Sequence, residues 1–495
     1  MANLSLGSEA VVFPSSAGSG SARQLPVTDF VAVLIALLLA LVTGVALAQS
    51  DGDLLAHINL GRAILAAGSI PKESAGGFAT TGPTVVFPAW GSAVIFAKAH
   101  ALGGLAFIVA LTAVIAGFTH GIITRVLRRH GVAPMPAVFF AMIAFALASA
   151  HWLARPHLFS MLFSVCLIVL LESERRWSIP VIALLFAIWA NLHGAWAYGL
   201  IVIAAWAGGD LLEWKVGDRG ARWRARTGRH VLALCVAAAA TLVNPWGVQL
   251  HQTVMATLRD AGVPRVIDEY RPPGFTSIPD LAFWCIAIVS AAALLRTRRR
   301  MPYPALLVVI VTTLFAVLAG RNIAFFGLVA WPLIASHLSA HTTVAQHDGA
   351  RPWRLAAPAF ALLLALGLAG GRIGSVQLIP AHVDSARFPV TAVERMRAAG
   401  MSEPLLTTWT WSGYVPYAWP GERTWFDPLV FTPDALGTFG RMLLARPGWR
   451  MALDTQQIGA ALVPPRLPLA DSLGRDAAWT RWYADSVAVV FVRAK

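Results

Sequence analysis

Charge is what this chain of 495 residues has least of: 13% of its residues are charged, against 57% apolar. That ratio excludes a water-soluble globular protein of this length and predicts a polytopic membrane protein. Cysteine is scarcer still, with three residues. Cys166, Cys235 and Cys285 all fall inside apolar runs, so they read as small core hydrophobes and no disulfide framework is encoded. Cys-x-x-Cys is absent, and the His337 and His341 pair has no acid between its members and no cysteine nearby, so there is no zinc signature. Neither a Walker loop nor a Rossmann glycine fingerprint occurs, which leaves nucleotide-driven transport and nucleotide-sugar chemistry without support.

What the chain does have is long apolar runs. They place spans near Val31 to Ala48, Leu105 to Ile123, Pro136 to Trp152, Leu158 to Leu171, Ile179 to Ala190, Trp196 to Leu212, Val231 to Val243 and Leu281 to Leu295. Tyr303 to Leu318, Ile323 to Leu338 and Leu355 to Ala369 bring the count to about eleven, several of them shorter than a full span of roughly 20 residues. With the N-terminus inside, alternate spans return into Arg125, Arg128 and Arg129; Arg175 and Arg176; Lys215 to Arg229; Arg296 and Arg298 to Arg300; and Arg351 and Arg354. Basic residues in short loops stay cytoplasmic, so these loops agree on one orientation. The net charge of +14 is then explained by an anionic inner leaflet, without nucleic acid.

The predicted fold is mainly α: a polytopic helical membrane bundle of about eleven transmembrane helices followed by a small C-terminal α/β domain outside the membrane. Residues 1–26 read as a disordered cytoplasmic lead, rich in Ser, Gly and Ala. Ala46-Leu47-Ala48 resembles a signal-peptidase site, but the apolar core before it is longer than a cleaved signal, so the helix is expected to be retained. The transmembrane domain runs over 27–370, with a first external loop at 50–104, and the extracytoplasmic domain over 371–495. In that domain Val390 to Ala399, Pro433 to Leu444 and Gly448 to Asp454 read as helices. Pro404 to Thr408, Arg423 to Phe426, Ile458 to Val463 and Val487 to Val492 read as strands.

Threaded in this way, the unusual polar motifs gather on the outer face: Asp51-Gly52-Asp53, Arg155-Pro156-His157, Asn191-Leu192-His193-Gly194, Asn244-Pro245-Trp246-Gly247 and Arg321-Asn322. A carboxylate at a membrane surface can act as a general base toward a hydroxyl or hold a divalent cation through its oxygens. Arginine presents a planar fork that suits phosphate oxygens. These residues therefore suit a base acting on a hydroxyl beside a bound phosphate. Asp53 takes the base role, and Asp51 either orients the acceptor or binds metal. Arg155, His157 and Arg321 clamp the phosphate, and His57 and His193 hydrogen-bond it or the group it carries.

Plainer readings stand beside these. Arg155 and Arg321 can snorkel to headgroups, and His157 and His193 can be satisfied histidines of the bundle interior. Asn244 to Gly247 reads as a helix-ending turn, and Asp268-Glu269-Tyr270 as an outer loop that either contacts the acceptor or is simply solvated. Trp409, Trp411, Tyr414, Tyr417, Trp419 and Trp425 suit either a carbohydrate ring or a small docked core.

The string from Asp51 through His57 and Gly61-Arg62 to Gly68-Ser69-Ile70-Pro71 and Trp90 resembles bacterial polytopic membrane proteins of the GT-C class of glycosyltransferases. The resemblance continues through Arg155-Pro156-His157, Asn191 to Gly194, Asn244 to Gly247, Arg321-Asn322-Ile323, Trp411-Ser412-Gly413-Tyr414 and the closing Val487 to Arg493. Two positions depart from the pattern: Ala89 stands where an acid is expected before Trp90, and Pro428-Leu429 where a Gly-Arg is expected after Asp427.

The resemblance implies sugar transfer from a polyprenyl-phosphate carrier to a lipid-linked glycan or other acceptor, at the outer face of the bacterial inner membrane, with an acid of the first external loop at the reaction centre. It places Asp53 and Asp51 as catalytic residues, and His57, Arg62, Trp90, Arg155, His157, Asn191, His193, Arg321 and Asn322 against substrate. Magnesium or manganese at Asp51 and Asp53 is the candidate cofactor. The alternatives are a transporter or flippase of a lipid-linked glycan, and a non-catalytic envelope assembly protein of the same ancestry.

Overall fold

The computed structural model describes residues 27–74, 76–79, 85–217, 220–259, 268–297, 299–339, 352–380, 382–430 and 432–494. The lead 1–26, His341 and the side chains of Ala46 and Leu47 lie outside the described residues. In a nonpolar solvent every backbone N–H and C=O has to be satisfied within its own segment, so long apolar runs become helices. The first half of the chain is α1 (Val27–Ala48), α2 (Gly52–Ala67), α3 (Trp90–Arg129), α4 (Pro134–Leu147), α5 (His157–Glu172) and α6 (Ser178–Leu192). There follow α7 (Trp196–Lys215), α8 (Ala221–Ala240), α9 (Val248–Arg259), α10 (Ile278–Arg296), α11 (Tyr303–Leu318), α12 (Gly320–Ser339) and α13 (Pro352–Leu368).

Among the described residues three of these, α3, α10 and α12, are long and apolar enough to cross a membrane. Six shorter apolar helical segments accompany them, at Phe30–Val42, Pro134–Leu147, His157–Glu172, Ser178–Leu192, Tyr303–Leu318 and Ala359–Leu368. Length and composition therefore do not by themselves confirm the expected count of about eleven spans, several of which are expected to be short. Large apolar side chains such as Leu184, Ile288, Val289, Leu295 and Leu314 stand exposed on the flanks, as expected of a surface that meets lipid.

The predicted run Leu105 to Ile123 is only part of α3, which begins at Trp90 and breaks at Gly103 and Gly104. A Cβ on Gly103 would lie 2.3 Å from the Gly367 carbonyl oxygen, so α13 crosses α3 nearly backbone to backbone at this point. α12 contains a π turn at Phe326–Ala330, just after the Arg321-Asn322 pair.

The bundle has two polar ends. At one, the Trp90 indole N–H donates to the Asn191 Oδ1 at 2.9 Å, and the Asn191 Nδ2 donates to the Val243 carbonyl at 2.7 Å. At the other, Arg222 and Arg226 meet Glu174 at 2.7 and 3.0 Å, and Arg300 meets Glu213 at 2.7 Å. Buried Asp210 accepts from Arg226 and is paired with His230 at this arginine-rich end.

α2 was not foreseen as a helix. Its N-cap is Asp51, whose side chain accepts from the Asp53 N–H at 3.0 Å, and it stops at Gly68, where φ is +65° and a side chain would be strained. It lies against α3 on one side and against the C-terminal domain on the other.

The C-terminal domain opens with a two-residue hairpin, β1 (Arg372–Ile373) and β2 (Val376–Gln377). Its main sheet has the order β3-β4-β6-β5, with β3 (Leu405–Thr407), β4 (Ala460–Val463), β5 (Trp479–Ala484) and β6 (Val489–Arg493). β3 runs parallel to β4, with Leu406 opposite Ala461, and the other pairings are antiparallel. Five helices complete it: α14 (Val390–Ala398), α15 (Trp409–Ala418), α16 (Pro433–Leu443), α17 (Trp449–Thr455) and α18 (Pro468–Gly474).

The expected strand at Arg423 to Phe426 is not one. Thr424 forms single parallel bridges to Gly77 and Leu405, and the segment serves as a clip: Trp425 N–H donates to the Leu405 carbonyl at 2.7 Å, while Phe78 N–H donates to the Thr424 carbonyl at 3.1 Å. Ser74 and buried Asp427 reinforce this tie between the first loop and the domain.

Candidate functional site

The turn from α1 into α2 sets two carboxylates two residues apart, and the Arg155 segment before α5 faces them. The Arg155 Nε and Nη2 donate to Asp51 Oδ2 and Oδ1, each at 2.8 Å, and Nη1 lies 2.8 Å from Asp53 Oδ2. Such a bidentate fork fixes both the position and the plane of the guanidinium. The remaining Asp53 oxygen, Oδ1, accepts from the Trp409 indole N–H at 2.9 Å. Asp51 is nearly inaccessible, at 3% of its side-chain surface, while Asp53 keeps 21% open.

Burial pushes the Asp53 carboxyl above its usual range, and the neighbouring Asp51 charge adds to the rise; Arg155 and the Trp409 hydrogen bond pull the other way. These opposing influences act on Asp53, while both oxygens of Asp51 are engaged by Arg155. The positive charge of Arg155 is held firmly in place, since the Asp51 and Asp53 carboxylates outweigh the desolvation that would weaken it.

Around this pair stands a group of histidines. His57, one turn along α2 from Asp53, is buried, and its Nδ1 has no hydrogen-bond partner. Burial, helped by Arg155, lowers it to about 3, so it is a neutral imidazole. His157 Nε2 meets the His151 carbonyl at 2.8 Å, and its ring packs edge to face against those of His151 and His193. His193 is oriented through the Ser160 hydroxyl at 2.7 Å, which itself accepts from the Trp189 indole at 2.7 Å. The His151 Nδ1 is also buried without a partner.

Arg321 completes the set. It lies 3.5 Å from Glu269 and stacks over the Tyr270 ring at 4.2 Å, and its charge is felt by His193 and His151. Glu269 is in turn felt by Asp53 and Arg155.

Asp51, Asp53, His57, Arg155, His157, His193 and Arg321 are thus brought together at one end of the bundle. The other expected substrate residues are engaged elsewhere. Arg62 reaches the Tyr417 carbonyl at 3.4 Å and His100 at 3.3 Å, and its guanidinium lies 4.8 Å above the Tyr417 ring, so it ties α2 to the C-terminal domain. Trp90 and Asn191 are spent on each other, and the Asn322 Nδ2 donates to the Phe315 carbonyl at 2.9 Å, closing the end of α11. Asn244 Oδ1 accepts from Trp246 N–H at 2.8 Å within its own turn.

Arg155 was expected on phosphate, but both edges of its fork are given to carboxylates; Arg321, paired with Glu269 and stacked on Tyr270, is a second arginine at the site. The same contacts bear on magnesium or manganese at Asp51 and Asp53: N–H donors already occupy the oxygens, and the pair does not fit a divalent ion as it stands. His151, four residues before Arg155, carries no signal of its own in the sequence, and Glu269, in a loop open to either an acceptor or a solvated reading, pairs with Arg321 while staying partly exposed. Nothing local in the sequence marks Trp409 as a partner of Asp53.

Apolar helices surround a polar end, and the α/β domain packs against that end through α2 and Trp409. Solved structures that it is similar to in fold include three of the archaeal oligosaccharyltransferase AglB from Archaeoglobus fulgidus. The apo form matches at 11% identity with a TM-score of 0.53, covering 88% of this chain and 69% of that one. The form tethered to an acceptor peptide containing the NVT sequon matches at 12% identity and 0.54, over 94% and 74%. The complex with an inhibitory peptide and a dolichol-phosphate matches at 11% and 0.51, over 88% and 69%. No protein-family model and no curated protein sequence matches the chain.

Proposed function

We propose that this protein is a GT-C glycosyltransferase of the bacterial inner membrane, moving a sugar from a polyprenyl-phosphate carrier to a lipid-linked glycan or other acceptor at the outer face. The observation that carries the reading is the convergence of Asp51 and Asp53 on Arg155, with His57, His193 and Arg321 around them, in a fold like that of an oligosaccharyltransferase.

The acceptor hydroxyl oxygen attacks the anomeric carbon, the bond from that carbon to the phosphate oxygen breaks, and the hydroxyl proton passes to Asp53. Arg321 and the neutral histidines meet the phosphate that departs with the carrier, where negative charge grows. Asp51 holds Arg155, and Arg155 with Trp409 holds Asp53. The assembly-protein alternative is better suited to an acidic pair remote from its arginine than to one in direct contact with it.

The test is transfer of labelled sugar from a panel of polyprenyl-phosphate donors in membranes carrying matched amounts of wild type, Asp53→Asn or Asp51→Asn. The expected result is transfer by wild type that falls by at least about 100-fold in Asp53→Asn. Transfer that survives in both variants would remove the carboxylates from the mechanism, and a wild type that consumes no donor would favour the transporter reading.

A further inference from the structure

The acidic pair has the residue types of a metal site and the contacts of something else. Asp51 Oδ1 accepts from the Arg155 Nη2 and from the Asp53 N–H, and Oδ2 from the Arg155 Nε. Asp53 Oδ2 pairs with the Arg155 Nη1, and Oδ1 accepts from Trp409. Every carboxylate oxygen of the pair therefore has a nitrogen donor, and three of the four face one planar cation.

Magnesium or manganese takes a full shell of oxygen ligands at short range, and has to displace whatever already sits on them. Among the described residues, the acid whose charge is also felt at Asp53 and Arg155 is Glu269, and it is paired with Arg321. Among the described residues no group of three or more His, Cys, Asp or Glu side chains is arranged to hold a metal ion.

We infer that Arg155 is the resident cation of this centre, standing between Asp51 and Asp53 in the place a divalent metal would take. A guanidinium stays protonated at every working pH, so the charge it supplies is built into the chain and does not depend on metal supply. The fork also sets the distance between the two carboxylates, which a lysine ammonium, as a point charge, would not do. As a statement about catalysis this rests on the transfer reading above; as a statement about ion binding it does not.

The experiment follows that division by measuring manganese binding to purified full-length protein, through loss of the electron paramagnetic resonance signal of free Mn²⁺, with no sugar donor present. Wild type, Asp51→Asn and Asp53→Asn are expected to titrate alike. Arg155→Met strips the donors from the carboxylates and is expected to bind Mn²⁺ at least about tenfold more tightly than wild type. The gain is lost again when Asp53→Asn is added.

A wild-type site that weakens in either Asn variant would overturn the inference. So would a folded, monodisperse Arg155→Met protein that gains no binding, because the carboxylates would then have no capacity for the metal that Arg155 replaces. Arg155→Gln serves if the Met variant does not fold. The comparison of wild type with the two Asn variants needs no change at Arg155 and decides the matter alone if neither does. Silence in the transfer assay leaves this result intact, so the two readings fail separately.

Discussion

Asp51 carries two duties at one position: it caps α2 and it holds Arg155 by two parallel hydrogen bonds. Its replacement by alanine removes a cap worth about 1 kcal/mol and strands a half-buried guanidinium, whereas asparagine keeps the cap but loses the charge and one of the two hydrogen bonds from Arg155, because its amide nitrogen cannot accept. His57 adds a pH-dependent term. It is held at about 3, against 6.5 when exposed, chiefly by burial. The unfolded chain therefore binds a proton that the folded one refuses, so the stabilisation is complete above about pH 6.5 and is lost progressively as pH falls toward 3. At about pH 5 the loss amounts to roughly 2 kcal/mol. Thermal unfolding in detergent is expected to show Tm falling between about pH 7 and 5, with a shallower fall for His57→Gln. Parallel slopes for the two proteins would mean that His57 takes up its proton without unfolding.

Between elements, the decisive contact is the crossing of α2 and α15. A Cβ on Gly413 would lie 2.0 Å from the Gly52 carbonyl oxygen, and one on Gly52 would lie 2.0 Å from the Thr410 carbonyl oxygen. No side chain fits there, and the closeness of the two backbones is what lets Trp409 reach Asp53. Gly413→Ala is expected to cost about 1–3 kcal/mol of stability and to expose the C-terminal domain to limited proteolysis. Gly437→Ala in α16, where nothing lies within 4 Å of the added methyl, is the matched control and is expected to be neutral or to stabilise by about 0.5–1 kcal/mol. Equal behaviour of the two variants would show that the crossing tolerates a methyl group.

This is also the scale at which the sequence was hardest to read. Long apolar runs announced the bundle helices through composition alone. α2 mixes apolar residues with Asp53, His57, Asn59 and Arg62, and so carried no clear signal. Arg423 to Phe426 has strand-forming residues but is used as a clip, and Trp479 to Ala484, exposed at Thr480, Arg481 and Trp482 in succession, lacks the alternation that marks a half-buried strand. The sidedness of the polar motifs pointed to Asp51, Asp53 and Arg155 as neighbours. Their pairing spans 104 residues, and that of Trp409 with Asp53 spans 356, distances over which no local pattern operates.

For the molecule as a whole, the two polar ends give a topology that can be measured. The arginine-rich end holds Glu174 between Arg222 and Arg226, and the other end holds the carboxylates and the C-terminal domain. Under the orientation proposed above, a cysteine introduced at Trp482, 41% exposed on the domain surface, reacts with a membrane-impermeant maleimide added to spheroplasts. A cysteine at Arg222 reacts only after the membrane is opened. The reverse labelling order would invert the protein and move the site to the cytoplasmic face.

The glycine crossing of α2 and α15 has a consequence for anyone who would rebuild this protein. Because bare backbone touches bare backbone, there is no side chain to take up slack, and the two halves share one ruler with a single mark on it. A foreign C-terminal module grafted at residue 371 would bring its own surface and partners. It would still inherit a carboxylate aimed by an indole only if its first long helix presented a glycine and a tryptophan to α2 at the spacing of Gly413 and Trp409.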